Sequence, residues 1–273
     1  MSTGRDARPR LMGILNVTPD SFSDGGAFYE ADAALRHASE MAAAGVDILD
    51  IGGESTRPGA GRIDAAEQLK RVLPVIEAIH AGLPEMPLSI DTTQSEVAKA
   101  ALAAGATMIN DISAGRDDPR IFDLAADSGA WLVLMHMQGE PATMQENPRY
   151  ADVVGEVREF LCERASAAEA AGVAADRIVI DPGIGFGKSR QHNLDLIASL
   201  PRFVETGYAV MLGASRKRFM GSLCRVEQYD ELVGATCATT VLAVQAGVRF
   251  VRVHDVQQNR QALDVAWALG RGE

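Results

Sequence analysis

The sequence predicts an α/β chain folded as a (β/α)8 barrel of the TIM type, and three observations predict it. Short, continuously apolar runs recur along the chain, alanine-rich helical patterns lie between them, and glycine sits at most of the joints from helix to run. Runs that are apolar at every position, not alternate ones, are those of parallel strands covered on both faces. A glycine just past a helical pattern supplies the left-handed residue that ends a helix. At 273 residues the chain has the length of one such barrel,. No linker, low-complexity tract or change of composition divides it, so residues 1–273 are expected to form a single domain,. An open doubly wound sheet is the alternative, since a strand count alone does not prove closure.

The expected strands read LMGILNV, DILDI, LSID, MIND, WLVLMH, IVID, AVMLG and FVRV. The glycine joints are Gly45, Gly105, Gly129, Gly172, Gly207 and Gly247. Between the first two strands, Ala31, Ala34, Leu35, Ala38, Met41 and Ala42 fall on one helical face,. In the next helix Leu69, Val72, Leu73, Ile76 and Ile79 do the same, and Asp64 with Glu67 opens it as an approximate capping box,.

Composition narrows the function. A hydrophobic content of 47% with 23% charged residues describes a globular protein,. The net charge of -11 argues against a nucleic-acid surface or an anionic membrane as partner,. Any anionic ligand then needs a local cluster of cations. The three cysteines, Cys162, Cys224 and Cys237, form no paired motif and read as reduced thiols,. There is neither a signal-peptide pattern nor a long apolar span, so a cytoplasmic location is expected,.

Chemistry concentrates where the strands stop. The runs end in Asn16-Val17-Thr18, Asp50 to Arg57, Asp91-Thr92, Asn110-Asp111, His136, Asp181-Pro182-Gly183, Ser215-Arg216-Lys217 and Arg252-Val253-His254. In a barrel these ends meet at the C-terminal mouth, where barrel enzymes place their active sites. One strand-end aspartate is as readily a helix cap as a functional group; eight polar endings in register are not explained that way. They divide into two halves. Asp91, Asn110 and Asp181 suit the N–H edges of an amidine-like heterocycle such as a 2-amino-4-oxo pteridine,. Arg57, Lys217, Arg252 and His254 form a cationic half suited to phosphate,. Two glycine-containing loops, 18–27 and 52–61, read as flaps over the mouth,.

Several sharper motifs fail. The segment from Gly183 to Ser189 ends like a phosphate-binding loop, but Pro182 stands where its first glycine is required,. Lys217 occupies the position at which a nucleophile elbow after Ser215 needs glycine,. The histidines lack zinc-ligand spacing,. His37, His80 and His192 are expected to face solvent.

Seven segments together resemble the dihydropteroate synthase family of pterin-binding enzymes. They are MGILNVTPDSFSDGG (Met12 to Gly26), DIGGESTRPGA (Asp50 to Ala60), SIDT (Ser89 to Thr92), INDIS (Ile109 to Ser113), DPGIGFGK (Asp181 to Lys188), GASRKRF (Gly213 to Phe219) and RVHDV (Arg252 to Val256). The resemblance spans nearly the whole chain in order, and the first two segments are long and specific. It implies that Asn16 binds Mg2+ and the substrate diphosphate. It implies that Asp91, Asn110 and Asp181 hold a dihydropterin, with Gly213 and Lys217 in contact with it and Met135 and Phe186 walling the ring. Arg252 and His254 would hold the diphosphate. Thr56 and Arg57 would belong to the second flap, and Ser215, Pro58 and Phe22 would line the site for 4-aminobenzoate. Asp91, Asp181, Lys217, Arg252 and His254 are the implied catalytic set.

The implied reaction joins 6-hydroxymethyl-7,8-dihydropterin diphosphate to 4-aminobenzoate and releases diphosphate, in a homodimeric enzyme. From Gly221 to Thr240 the chain departs from the family pattern, with Asp230-Glu231 where a Glu-Arg pair is frequent; that stretch reads as helix packing or a subunit surface. Three other readings stand beside this one: a pterin-dependent methyltransferase, a Schiff-base aldolase using Lys217, and a pterin-binding paralogue without turnover.

Overall fold

The computed structural model of the chain describes residues 8–18, 26–55, 61–140 and 143–271, with the side chains of 26–30 and 271 outside that description. Eight strands close into a barrel in sequence order: β1 (Arg10–Asn16), β2 (Ile48–Gly52), β3 (Leu88–Asp91), β4 (Met108–Asp111), β5 (Trp131–Met135), β6 (Ile178–Asp181), β7 (Ala209–Leu212) and β8 (Phe250–Val253). All neighbours are parallel, and β1 pairs with β8 through Arg10 to Gly13, which excludes the open sheet. The outer ring is α1 (Gly26–Ala43), α2 (Ala65–Gly82), α3 (Ser95–Ala103), α4 (Arg120–Ser128), α5 (Val153–Ala170), α6 (Arg190–Ala198), α7 (Leu200–Val204), α8 (Arg218–Cys224), α9 (Val233–Ala246) and α10 (Val256–Arg271).

Each strand sends alternate side chains to opposite faces. Leu49, Ile51, Leu88, Ile90, Ile109, Leu132, Leu134, Ile178, Ile180, Leu212 and Val251 pack outward under the helices. A second, separate cluster fills the barrel interior: Met12, Ile48, Met108, Trp131, Val133, Val179, Met211 and Phe250. Trp131 meets Phe250 edge-on at 5.6 Å. The apolar runs of the sequence therefore serve two cores at once.

The glycine joints are as expected. Gly45, Gly105, Gly129, Gly172, Gly207 and Gly247 all have positive φ, between 65° at Gly129 and 113° at Gly105. On α1, Ala31, Ala34, Ala38 and Met41 are buried as the periodicity predicts. The capping box of α2 forms only by half. Asp64 accepts from the Glu67 N–H at 2.8 Å, but the Glu67 carboxylate pairs with Arg71 at 2.8 Å instead of turning back. The complete capping box belongs to α6, where Ser189 and His192 bond reciprocally. His192 is consequently half-buried, not solvent-facing; His37 and His80 are exposed.

Candidate active site

Two residues beyond the apolar interior, toward the C-terminal ends of the strands, the inward positions turn polar. Ile48 is followed by Asp50, Met108 by Asn110, Val179 by Asp181 and Phe250 by Arg252. Arg252 ties this layer together. Its Nε donates to Asp50 Oδ2 at 2.6 Å, and its Nη2 donates to Asp91 Oδ2 at 2.8 Å. Asn110 Nδ2 donates to the same Asp50 oxygen at 3.0 Å, leaving Oδ1 as the end of the amide that accepts,. Asp50 is fully buried and was read in the sequence only as part of a strand end and a motif. The signal that would have singled it out is its position two residues after an inward apolar side chain.

Burial shapes the titration here. It pushes Asp91 up to about 7, against the pull of Arg252 and with added repulsion from Asp50, Glu54 and Asp111,. It pushes Asp181 up to about 6, opposed by the Gly183 N–H and by Lys217, Lys188 and Arg252. Asp181 Oδ1 accepts that N–H at 2.7 Å. Its Oδ2 lies 3.5 Å from where a Cβ at Gly213 would stand, an ordinary contact that places Gly213 beside the carboxylate.

Above this floor lies an apolar wall of Met135, Met137, Met144 and Phe186, joined by partly buried Ile112. Lys217 crosses it, with Nζ 4.0 Å from the centroid of the Phe186 ring,. Burial and then Arg252 lower Lys217 to about 8, while Asp181 and Asp91 oppose that shift. Met135 and Phe186 thus pack in one cluster, distinct from both barrel cores.

Within the expected cationic half, burial and then Arg252 and Arg216 push His254 down to about 3, against the pull of Asp255, so the ligand-free ring is neutral at pH 7,. Ser215 Oγ accepts from the His254 backbone N–H at 3.1 Å and stands 3.0 Å from Nδ1. In the tautomer in which the Ser215 hydroxyl donates to Nδ1, the ring proton sits on Nε2, and His254 presents an N–H donor instead of a charge. Arg216, at φ 55°, turns away from the mouth and forks onto Asp255 at 3.0 and 2.6 Å. Asp111, which ends β4 beside Asn110, accepts from Ser113 N, Ser113 Oγ and Gly115 N and shapes its own loop.

Thr56, Arg57, Pro58 and Phe22 lie outside the described residues. The stem of the second flap is described. Gln68 of α2 donates to Glu54 at 2.6 Å and accepts from Thr92 at 2.9 Å, while Arg71 donates to the Gly53 carbonyl at 3.0 Å. The stem, Gly53 and Glu54, is therefore tethered to the strand end that carries Asp91.

For Mg2+, the donor chemistry fits. Asn16 Oδ1 and Asp91 Oδ2 both lie 3.7 Å from where a Cβ on Gly52 would stand; Asp91 Oδ2 already accepts from Arg252, which leaves the Asn16 amide oxygen as the hard donor for the ion. Magnesium takes one or two protein oxygens and completes its shell with water and phosphate. Among the described residues there is no cluster of three or more His, Cys, Asp or Glu side chains to cage a metal.

A closed parallel barrel with buried carboxylates and an amide at its C-terminal mouth, under an aromatic and methionine wall, defines an enzyme site for a flat, N–H-rich heterocycle. The model of the pterin binding enzyme family matches residues 12–254. Dihydropteroate synthase of Synechocystis is 44% identical over 264 residues, covering 97% of this chain and 91% of that protein. Among solved structures, Xanthomonas albilineans dihydropteroate synthase with 4-aminobenzoic acid superposes with TM-score 0.90 at 50% identity, covering 97% of this chain and 94% of that one. The same enzyme in complex with 7,8-dihydropteroate gives TM-score 0.87 at 46% identity, covering 98% and 95%. The chain belongs to the pterin-binding enzymes and, within them, to the dihydropteroate synthase family.

Proposed function

We propose that this chain condenses 6-hydroxymethyl-7,8-dihydropterin diphosphate with 4-aminobenzoate to give 7,8-dihydropteroate and diphosphate, a step of folate biosynthesis. The observation that carries the reading is the layer formed by buried Asn110 and Asp181 with partly buried Asp91, beneath the Met135 and Phe186 wall. The N–H groups of a dihydropterin meet acceptors on that floor, its ring faces the wall, and Lys217 donates to an acceptor on its edge.

An aniline-type nitrogen is neutral at pH 7, so it attacks without a strong general base. The C–N bond forms at the pterin methylene as the C–O bond to diphosphate breaks. The electron pair leaves with diphosphate, and the surplus proton on nitrogen is lost afterwards. Charge moves from ring to leaving group, so Asp91 and Asp181 support the positive ring while Arg252 and the Nε2–H of His254 face the departing oxygens. Asn16 would hold Mg2+, which when bound supplies positive charge against the diphosphate. Thr56 and Arg57 would close over the mouth and exclude water.

A coupled assay for diphosphate release tests this. Release should require both organic substrates and Mg2+. Release without 4-aminobenzoate would make the protein a hydrolase, and no release with tight pterin binding would make it a binder without turnover.

A homodimer is part of the same proposal. It is supported by apolar side chains left exposed on the packed pair α9 and α10, Leu242 at 49%, Val265 at 61% and Leu269 at 76%,. A cytoplasmic location is also proposed. No helix among the described residues is long and apolar enough to cross a membrane.

A further inference from the structure

Lys188 is the cation in the mouth that the reaction scheme leaves unused. Its side chain is turned inward and is 3% exposed. Nζ bonds the Phe186 carbonyl at 2.9 Å, the His136 carbonyl at 3.2 Å and His136 Nδ1 at 3.0 Å. Burial pushes Lys188 down to about 7, against the pull of Asp181, so over the acid range in which Asp181 titrates it is an ammonium. Three acceptors then saturate its three N–H bonds, and none remains for a substrate. The imidazole is kept neutral by burial, Lys188 and Arg116, and an Nδ1 that accepts places its proton on Nε2,. The ring itself is fixed edge-on against Phe160 at 4.9 Å.

The surrounding loop leaves no alternative path. A Cβ at Gly183 would fall 1.9 Å from the His136 carbonyl oxygen, and one at Gly187 would fall 2.3 Å from that of Gln138. The β6–α6 segment thus lies directly on the end of β5, and Lys188 bridges the two. Asp181 stands at one end of this segment and Phe186 within it.

We propose that Lys188 is a positioning residue for the pterin site: by cross-linking the Phe186 and His136 backbones it fixes the spacing between the Asp181 carboxylate and the ring wall, and its charge helps keep Asp181 ionised. The cations facing Asp181 are Lys188 from its own loop, Lys217 from the β7–α8 loop and Arg252 from β8. Removing one of three leaves the others but weakens the field. The inference rests on the condensation proposed above and deepens it.

The test compares Lys188→Met, which removes charge and all three bonds, with Lys188→Arg, which keeps charge but not the three-acceptor geometry. With the wild-type enzyme turning over, Lys188→Met should raise KM for the pterin diphosphate about tenfold or more. It should leave KM for 4-aminobenzoate within about twofold. The acid limb of kcat/KM should move to higher pH, because Asp181 becomes easier to protonate. Lys188→Arg should raise the same KM with the acid limb in place. If Lys188→Met is folded and shows wild-type pterin KM and acid limb, the proposal is overturned. If Lys188→Met does not fold, Lys188→Arg decides: an unchanged pterin KM or a displaced acid limb overturns it. A wild-type protein that releases no diphosphate would instead defeat the condensation reading.

Discussion

The barrel interior has two layers that share the same strands. Toward the N-terminal ends, Met12, Ile48, Met108, Trp131, Val133, Val179, Met211 and Phe250 pack together as an apolar plug. One inward step further along, Asp50, Asn110 and Asp181 are just as buried but polar, and Arg252, 20% exposed, joins them. The first layer stabilises in proportion to the apolar area it hides. The second is buried at a cost that its own hydrogen bonds only partly offset, since burial lifts Asp91 and Asp181 to about 7 and about 6,. Their contrast separates what folds the barrel from what it does.

The sharpest way to break the contrast is Arg252→Met, which strands Asp50 and Asp91 without their cation. Removing one partner of a buried pair costs about 3–5 kcal/mol. We expect a loss of that size in urea unfolding together with loss of diphosphate release. A loss under about 1 kcal/mol would mean the layer is hydrated, not dry.

Asp181→Asn should separate the two properties. We expect kcat/KM for the pterin diphosphate to fall about 100-fold, equivalent to about 3 kcal/mol. Stability at pH 7 should hold or rise, because an ionised buried carboxylate is replaced by a neutral amide. The sign follows from the raised folded-state values. Burial raises Asp91 and Asp181 from the ordinary 3.8 to about 7 and about 6, so the folded form binds more protons at these two groups between those limits,. The contribution of these two carboxylates to the stability of the ligand-free protein therefore declines as pH climbs from about 4 to about 7, while the lowered histidines His136 and His254 contribute with the opposite sign,. The melting temperature of Asp181→Asn relative to wild type should rise as pH climbs from about 4 to about 6; a difference that falls would count against a buried, raised Asp181,.

Met108→Ala, in the apolar layer beneath Asn110, should cost about 2–4 kcal/mol while kcat/KM of the folded protein stays within about threefold. A larger kinetic loss would show that the plug tunes the floor. Smallest of all, Ser189→Ala removes the cap of α6 outside both layers and should cost about 1 kcal/mol,. A change in pterin KM there would show that the cap also steadies the Lys188 segment.

The outer architecture was legible because its signals are local. Apolar runs, helical faces and helix-ending glycines are each set within a few residues, and the six expected joints all adopt positive φ. The floor residues Asp91, Asn110 and Asp181 were legible as strand ends and as motif members. Asp50 and Lys188 were not, for a physical reason. Their roles depend on partners 202 and 52 residues away, Arg252 and His136, which only barrel closure and loop folding bring into reach. The lowered titration of His254 was not legible either, since a sequence does not state how dry a position is. The half-formed box at Asp64 shows a local signal losing to a neighbour, Arg71, one turn on.

The helix-ending glycines all lie at the end of the barrel away from the mouth, where each helix hands over to the next strand. Each strand–helix unit can therefore be lengthened, shortened or recut at that seam without moving a strand's far tip. The chain is assembled like staves in a cask, trimmed at one rim and shaped at the other. Variation in this lineage has a safe edge on which to accumulate, while the opposite rim keeps its register.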